Sequence, residues 1–270
     1  MKRDIELSYT DEGEGAPPLV LVHGITSARD DWRLQADRFS ARHRVVRPDL
    51  RGHGATPRGT EPLTIATLGA DVAALLEALN LTGAVLAGGG MSCRVVLEAR
   101  RLAPERVAAL VWVDFSNLGL DGKEPAQRAM DEFIAAKGYE AAVRERYQGL
   151  FLAGHDPALS GPIIERALAL PEEVSRSLFH DTVAYDAEQA LKAMRGVHIP
   201  VLVLQSTTMG ADRVRRALEP GEVSPSMELA RTNFPQATVE AIPGTGHFAQ
   251  LQAPEAVNAA LAALLQKLSG

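Results

Sequence analysis

Cysteine is nearly absent from this chain: Cys93 is the one example among 270 residues. That excludes a disulfide framework and suits a reducing compartment. Positive charge is not concentrated either. Lys and Arg number 28 against 34 Asp and Glu, for a net charge of -6 and a pI near 5.7. This balance argues against a nucleic-acid partner. No apolar run approaches the ~18 residues of a membrane span. The start, Met1-Lys-Arg-Asp-Ile-Glu6, lacks the apolar stretch of a secretory signal. A soluble cytoplasmic protein with no membrane partner is therefore expected. Internal repeats and low-complexity tracts are missing. The histidines show no metal-ligand spacing, and neither G-x-x-x-x-G-K-[ST] nor G-x-G-x-x-G occurs. No metal, nucleotide or other cofactor is expected.

What is present is apolar sequence in short, regularly placed pieces. Hydrophobic residues make up 46% of the chain, which suits one large α/β domain or a core with an inserted cap. Leu19-Val-Leu-Val-His23, Arg44-Val-Val-Arg-Pro48, Ala84-Val-Leu-Ala87, Ala109-Leu-Val-Trp-Val113, Pro200-Val-Leu-Val-Leu-Gln205 and Thr238-Val-Glu-Ala-Ile242 read as strands. Helical spacing runs from Ile65 to Leu79, and again from Pro254 to Leu268. Strands alternating with helices predict a mostly parallel sheet covered on both faces.

From Ser116 to Gly196 the pattern changes to helices alone, at Ala126–Ala136, Tyr139–Leu150, Gly161–Leu170 and Glu172–Phe179. The expected division is a core of residues 1–115 and 197–270 with a helical cap of residues 116–196. Open α/β sheets bind ligands at the carboxyl ends of their strands, where such a cap would sit.

The segment Leu86-Ala-Gly-Gly-Gly-Met-Ser-Cys-Arg94 joins a strand to a helix through a glycine turn. With His23-Gly24, Asp49-Leu-Arg-Gly-His-Gly54 and Pro243-Gly-Thr-Gly-His-Phe248 in that order, the chain resembles the α/β-hydrolase fold superfamily along nearly its whole length. The glycine turn then corresponds to the nucleophile elbow, G-x-S-x-G. In the family this usually reads Gly-His-Ser-Met-Gly; here it is Gly88-Gly-Gly-Met-Ser92, with Gly90 at the nucleophile position. Glycine has no oxygen, so no acyl-enzyme forms there. Ser92 and Cys93 fall in the first helical turn and are expected to pack beneath it.

The resemblance implies further roles. His247 matches the catalytic histidine. Its acid partner is expected at Asp114, where haloalkane dehalogenases and cofactor-independent dioxygenases carry theirs, with Asp212 in reserve. The turn Gln205-Ser-Thr-Thr-Met209, where many relatives place the acid, has no carboxylate. Backbone N–H groups of Ile25 and Met91 would form an oxyanion hole. Trp32, Phe115, Tyr147, Phe151, Phe179 and Phe248 are candidates to line a substrate pocket, with Tyr185 a further cap aromatic, while His53 is not expected to be a ligand. The implied function is an enzyme acting on a small apolar carbonyl compound through a His-Asp base, as a lyase, isomerase, cyclase, cofactor-free oxygenase or water-mediated hydrolase. Two alternatives stand beside it: a ligand-binding homologue without chemistry, and a serine ester hydrolase in which Gly90 is an engineered knock-out. A small-molecule substrate is expected; whether the protein is a monomer or homodimer is left open.

Overall fold

The computed structural model describes residues 3–152, 155–210 and 214–269. The strands in chain order are β1 (Tyr9–Glu12), β2 (Leu19–Val22), β3 (Val45–Pro48), β4 (Ala84–Gly89), β5 (Val107–Val113), β6 (Val201–Gln205), β7 (Thr207–Met209), β8 (Arg215–Ala217) and β9 (Ala237–Ala241). Among the described residues β1 to β6 and β9 form a seven-stranded sheet, ordered β1-β3-β2-β4-β5-β6-β9. Neighbours run parallel except β1, which lies antiparallel to β3. β7 and β8 make a separate antiparallel ribbon.

Two faces of burial explain why the central strands read as unbroken apolar runs. In β2 all four residues are buried. Val20 and Val22 join one apolar cluster, and Leu19 and Leu21 join another on the opposite face. Helices α2 (Ile65–Ala78) and α3 (Ser92–Leu102) supply the first cluster with Leu68, Val72, Val95 and Val96. Helices α1 (Arg33–Phe39) and α11 (Pro254–Ser269) supply the second with Ala36, Phe39, Leu261 and Leu265. Burying one such side chain contributes roughly 1.5–3 kcal/mol, so both faces of the sheet are strongly held. β1 was not legible as a strand: Tyr-Thr-Asp-Glu carries no apolar run, and it forms because its backbone pairs with β3 at the sheet edge.

Between β5 and β6 come α4 (Lys123–Lys137), α5 (Tyr139–Phe151), α6 (Pro157–Ala169) and α7 (Glu172–Tyr185), then a π-helical turn over Asp186–Ala190 and α8 (Leu191–Arg195). Helix α6 starts four residues before the position expected from periodicity, because Asp156 caps the Ala158 N–H and Pro157 takes the first helical place. Helix α7 runs on to Tyr185 rather than stopping at Phe179. The remaining helices are α9 (Pro225–Asn233) and α10 (Ala249–Gln252). Among the described residues no helix is long and apolar enough to cross a membrane.

Candidate active site

The site begins at the turn after β4. A Cβ on Gly88 would lie 2.5 Å from the Ser92 carbonyl oxygen, so only glycine lets α3 fold back this closely. Gly90 has φ +58°, and its N–H donates to the Val113 carbonyl at 3.0 Å, tying the turn to the end of β5. A Cβ on Gly90 would stand 2.8 Å from His247 Nε2. The imidazole therefore leans over this turn, into the space a side chain there would need.

Asp114 follows β5 directly. It is fully buried and adopts φ +47°, a left-handed conformation that non-glycine residues seldom take and that Asp tolerates better than most. The twist aims its carboxylate at the loop before α10, where Oδ2 accepts from His247 Nδ1 at 2.6 Å. The end of β6 carries no acid but is rich in donors. Asp114 Oδ1 accepts from Gln205 Nε2 at 3.0 Å, from the Ser206 and Thr207 amides at 3.1 and 2.7 Å, and from the Ser206 hydroxyl at 2.9 Å. Arg215 Nη1, from β8, donates to Oδ2 at 2.8 Å. Two neighbouring strand ends thus divide the work: β5 supplies the carboxylate and β6 the groups that hold it. Asp212, the reserve acid, lies outside the described residues.

Electrostatics set the protonation states. Burial alone would raise the Asp114 carboxyl, but the His247 hydrogen bond and the Arg215 charge outweigh it and bring the group down to about 2. Burial lowers His247 below the ordinary imidazole value of 6.5; Asp114 opposes this, while Arg215 and Arg146 reinforce it. The ring is thus neutral at neutral pH, with Nδ1–H directed at Asp114 and Nε2 free to accept a proton.

Neither neighbouring nucleophile faces this space. Ser92 is fully buried, its hydroxyl 2.7 Å from the Val22 carbonyl and accepting from the Gly89 amide at 2.9 Å. Cys93 is buried beneath the turn, where burial pushes its thiol up to about 12. His23 and His53 are also buried and lowered to about 4 by that burial. Each accepts a backbone amide, from Leu50 at 2.9 Å and from Thr26 at 3.1 Å. They brace the loops rather than face the cavity.

Above the turn lies a cavity of about 90 Å³, several times the 10–15 Å³ or so that one water needs. Gly90, Asp114, His247, Ile25 and Met91 line its strand-end wall; Arg146 and Tyr147 of α5 and Phe179 and Thr182 of α7 line the other. Among the described residues no intramolecular hydrogen bond engages the Ile25 or Met91 amide. Met91 sits at the start of α3, whose dipole favours negative charge.

A family model described as "Alpha/beta hydrolase family" matches residues 19–260. The chain belongs to the alpha/beta hydrolase family. It is 29% identical over 270 residues to the dihydrolipoyllysine-residue acetyltransferase component of the acetoin cleaving system of Pseudomonas putida, covering 94% of this chain. It spans only 65% of that relative's length. It is 25% identical over 266 residues to the 2-(acetamidomethylene)succinate hydrolase of Mesorhizobium japonicum, covering 93% of this chain and 88% of the relative. Among solved structures, a malate-bound thermophilic esterase from Thermogutta terrifontis superposes with a TM-score of 0.76 at 26% identity, covering 98% of this chain and 94% of the esterase.

Of the aromatic residues expected at the pocket of this alpha/beta hydrolase family member, Tyr147, Phe179 and Phe248 line the cavity. Trp32, Phe115 and Phe151 do not. Trp32 is buried in the apolar cluster beneath the sheet, its indole N–H donating to the Val22 carbonyl at 3.1 Å. Phe115 packs on Trp112 with ring centroids 4.8 Å apart, and Phe151 stacks on Phe248 at 4.7 Å. Tyr185 also lies in the core, on the α2–α3 side. Three arginines at the cavity, Arg94, Arg146 and Arg215, escaped the sequence reading. One signal was available. The buried positions of α5, Ala142, Val143, Tyr147 and Phe151, are apolar or aromatic, and Arg146, between them in sequence, is a charge at the cavity-facing side.

Proposed function

We propose that this protein is an enzyme that processes a small carbonyl compound by general acid/base catalysis from a His247–Asp114 pair, without an acyl-serine. The observation that carries this reading is the placement of His247 Nε2 2.8 Å from the position a Gly90 Cβ would take. In this reading Gly90 stands where relatives carry their nucleophile. The base therefore addresses the cavity itself, where water or an acidic substrate C–H takes the nucleophile's place. Nε2 removes the proton, and negative charge develops on the substrate carbonyl oxygen. The Ile25 and Met91 amides receive that oxyanion, while Asp114 stabilises the imidazolium. Collapse of the oxyanion returns the proton from Nε2 to the leaving group or to carbon. The hydrolase and esterase named among the relatives favour water as the attacking group. The helices of residues 116–196 serve as the cap over residues 1–115 and 197–270. Three arginines at the cavity replace the expectation of a purely apolar substrate with one that carries a polar end.

An engineered loss of serine is less well supported. Ser92, also a departure from the usual motif, is knitted into the turn through Val22 and Gly89, as expected of a turn that diverged as a unit.

The test is turnover of a panel of small esters, lactones, amides and 1,3-diketones. His247→Ala should cost about 10³-fold or more in kcat/KM, with no labelling of the wild type by a fluorophosphonate. Unchanged turnover in His247→Ala overturns the mechanism. Fast ester hydrolysis with labelling in Gly90→Ser, absent from the wild type, would instead mark a disabled serine hydrolase. Ligand affinity with no product across the panel would mark a binding protein.

A further inference from the structure

The three cavity arginines are not equivalent. Arg94 is fully committed: Nε and Nη2 pair with Asp186 at 2.8 and 2.5 Å, and Nη1 donates to the Gly90 carbonyl at 2.8 Å. Arg215 is bound to Asp114 at 2.8 Å and reaches the Ser116 hydroxyl at 3.3 Å. Arg146 has no carboxylate partner among the described residues. Its guanidinium lies over the Phe179 ring, 4.7 Å from the centroid, and Nη1 meets only the Met130 sulfur at 3.4 Å. A thioether is a weak acceptor. Two residues earlier on the same helix, Arg144 faces outward and pairs with Glu140 and Glu165. Helix α5 thus neutralises the arginine in solvent and leaves unneutralised the one at the cavity.

Charge balance sharpens the point. Three guanidinium cations surround the cavity, against the carboxylates of Asp114 and Asp186, and His247 is neutral. Among the described residues one positive charge is left over, and it sits on Arg146. A cation withdrawn from water without a counterion is unfavourable, and burial accordingly lowers the proton affinity of Arg146. The donors of a guanidinium form a fork that fits a carboxylate with two parallel hydrogen bonds. The ring beneath Arg146 fixes one face of that fork and leaves its edge for a ligand.

We propose that Arg146 is the docking point for a carboxylate on the substrate, so that the cavity selects small anionic carbonyl compounds over neutral ones. This inference rests on the proposed reaction for the placement of the reacting carbonyl over Gly90, opposite Arg146. The carboxylate neutralises the surplus cation on the helical wall while the carbonyl meets the Ile25 and Met91 amides.

Binding separates this inference from the chemistry. Succinate, its dimethyl ester and inorganic phosphate serve as probes in calorimetric titrations of the full chain at constant ionic strength. Succinate is expected to bind the wild type and raise its Tm, with the ester and phosphate at least tenfold weaker. Arg146→Met should weaken succinate at least tenfold, and Arg146→Lys should restore part of the loss. Without ligand, Arg146→Met should melt no lower than the wild type, because it removes an uncompensated cation; a purely structural arginine would lower Tm when removed. For any carboxylate substrate that is turned over, Arg146→Met should raise KM far more than it lowers kcat. Equal binding of succinate and its ester, equal binding of phosphate, or undiminished succinate binding by Arg146→Met overturns the proposal. If Arg146→Met loses succinate while His247→Ala keeps full turnover, the reaction mechanism falls and the anion site stands. If His247→Ala loses turnover of a carboxylate substrate that Arg146→Met binds and processes as the wild type does, the anion site falls and the reaction mechanism stands.

Discussion

Asp114, on the strand-end wall, accepts hydrogen bonds from five residues, whereas Arg146, on the helical wall, rests on one ring and one sulfur. The first group is held so completely that its charge state and direction are fixed before any ligand arrives. The second is held loosely and, among the described residues, lacks a counterion. In the proposed reading the difference separates two tasks. Groups that move protons need fixed geometry, and strand ends embedded in a two-faced core provide it. Groups that choose a substrate need an unmet interaction, and a helix packed across the opening can leave one unmet.

The strand-end wall is damaged most severely by Asp114→Asn. It keeps the shape but removes the charge that orients His247 and pairs with Arg215. Turnover should fall about 10³- to 10⁴-fold, by analogy with the handling of a triad acid. Chemical denaturation should show a loss of about 3–5 kcal/mol, because a partly buried Arg215 loses its partner. A loss below tenfold in turnover would mean that Asp114 serves the fold alone.

Arg215→Met sharpens the same wall. Its positive charge holds the His247 proton affinity down, so removing it makes the imidazolium easier to form. In the wild type, kcat/KM should rise with pH along an acid limb centred below 6.5, the ordinary imidazole value. In Arg215→Met that limb should move to higher pH, with roughly tenfold less activity near pH 6 and much smaller losses near pH 8. A pH profile superimposable on the wild type would sink this account.

Trp32→Phe should have the smallest catalytic effect. Trp32 belongs to the core rather than to either wall, so stability should fall by about 1–3 kcal/mol through lost volume and a lost hydrogen bond. kcat and KM should each stay within about threefold of the wild type. A tenfold rise in KM would return Trp32 to the substrate pocket.

How much of this was legible follows from what each residue's role depends on. The strands beneath the site announce themselves, because burial on both faces demands continuous apolar sequence, as in Leu19-Val-Leu-Val22. The turn at Gly88–Gly90 and the loop carrying His247 are also legible, since their placement depends on local backbone and a short motif. Asp114 could be chosen because the next strand end offers only Gln205, Ser206 and Thr207. The packing of Trp32, Phe115 and Phe151 was not legible, since an aromatic on one side of a turn reads the same whether it meets ligand or core. Edge strand β1 was hidden because its partner, not its composition, makes it a strand. Arg215 was hidden for a different reason: it reaches Asp114 from the β7–β8 ribbon, a contact across 101 positions that no local pattern encodes.

Arg94 has a mechanical consequence. It joins three separate pieces: the carbonyl of Gly90 at the turn, the carbonyl of Ser116 past β5, and the carboxylate of Asp186 in the π-helical turn. Asp186 also accepts the Leu118 amide at 2.8 Å, where the chain leaves the core for the helices. The outgoing and returning ends of the insertion are thus pinned at one rivet. Pulling that rivet would strand a buried charge at a cost of about 3–5 kcal/mol. The far side of the insertion is riveted as well: the Leu150 carbonyl of α5 accepts the His247 amide at 2.7 Å, and Arg166 of α6 pairs with Asp31 at 2.5 Å, so the helices are clamped to the core at both ends of the cavity.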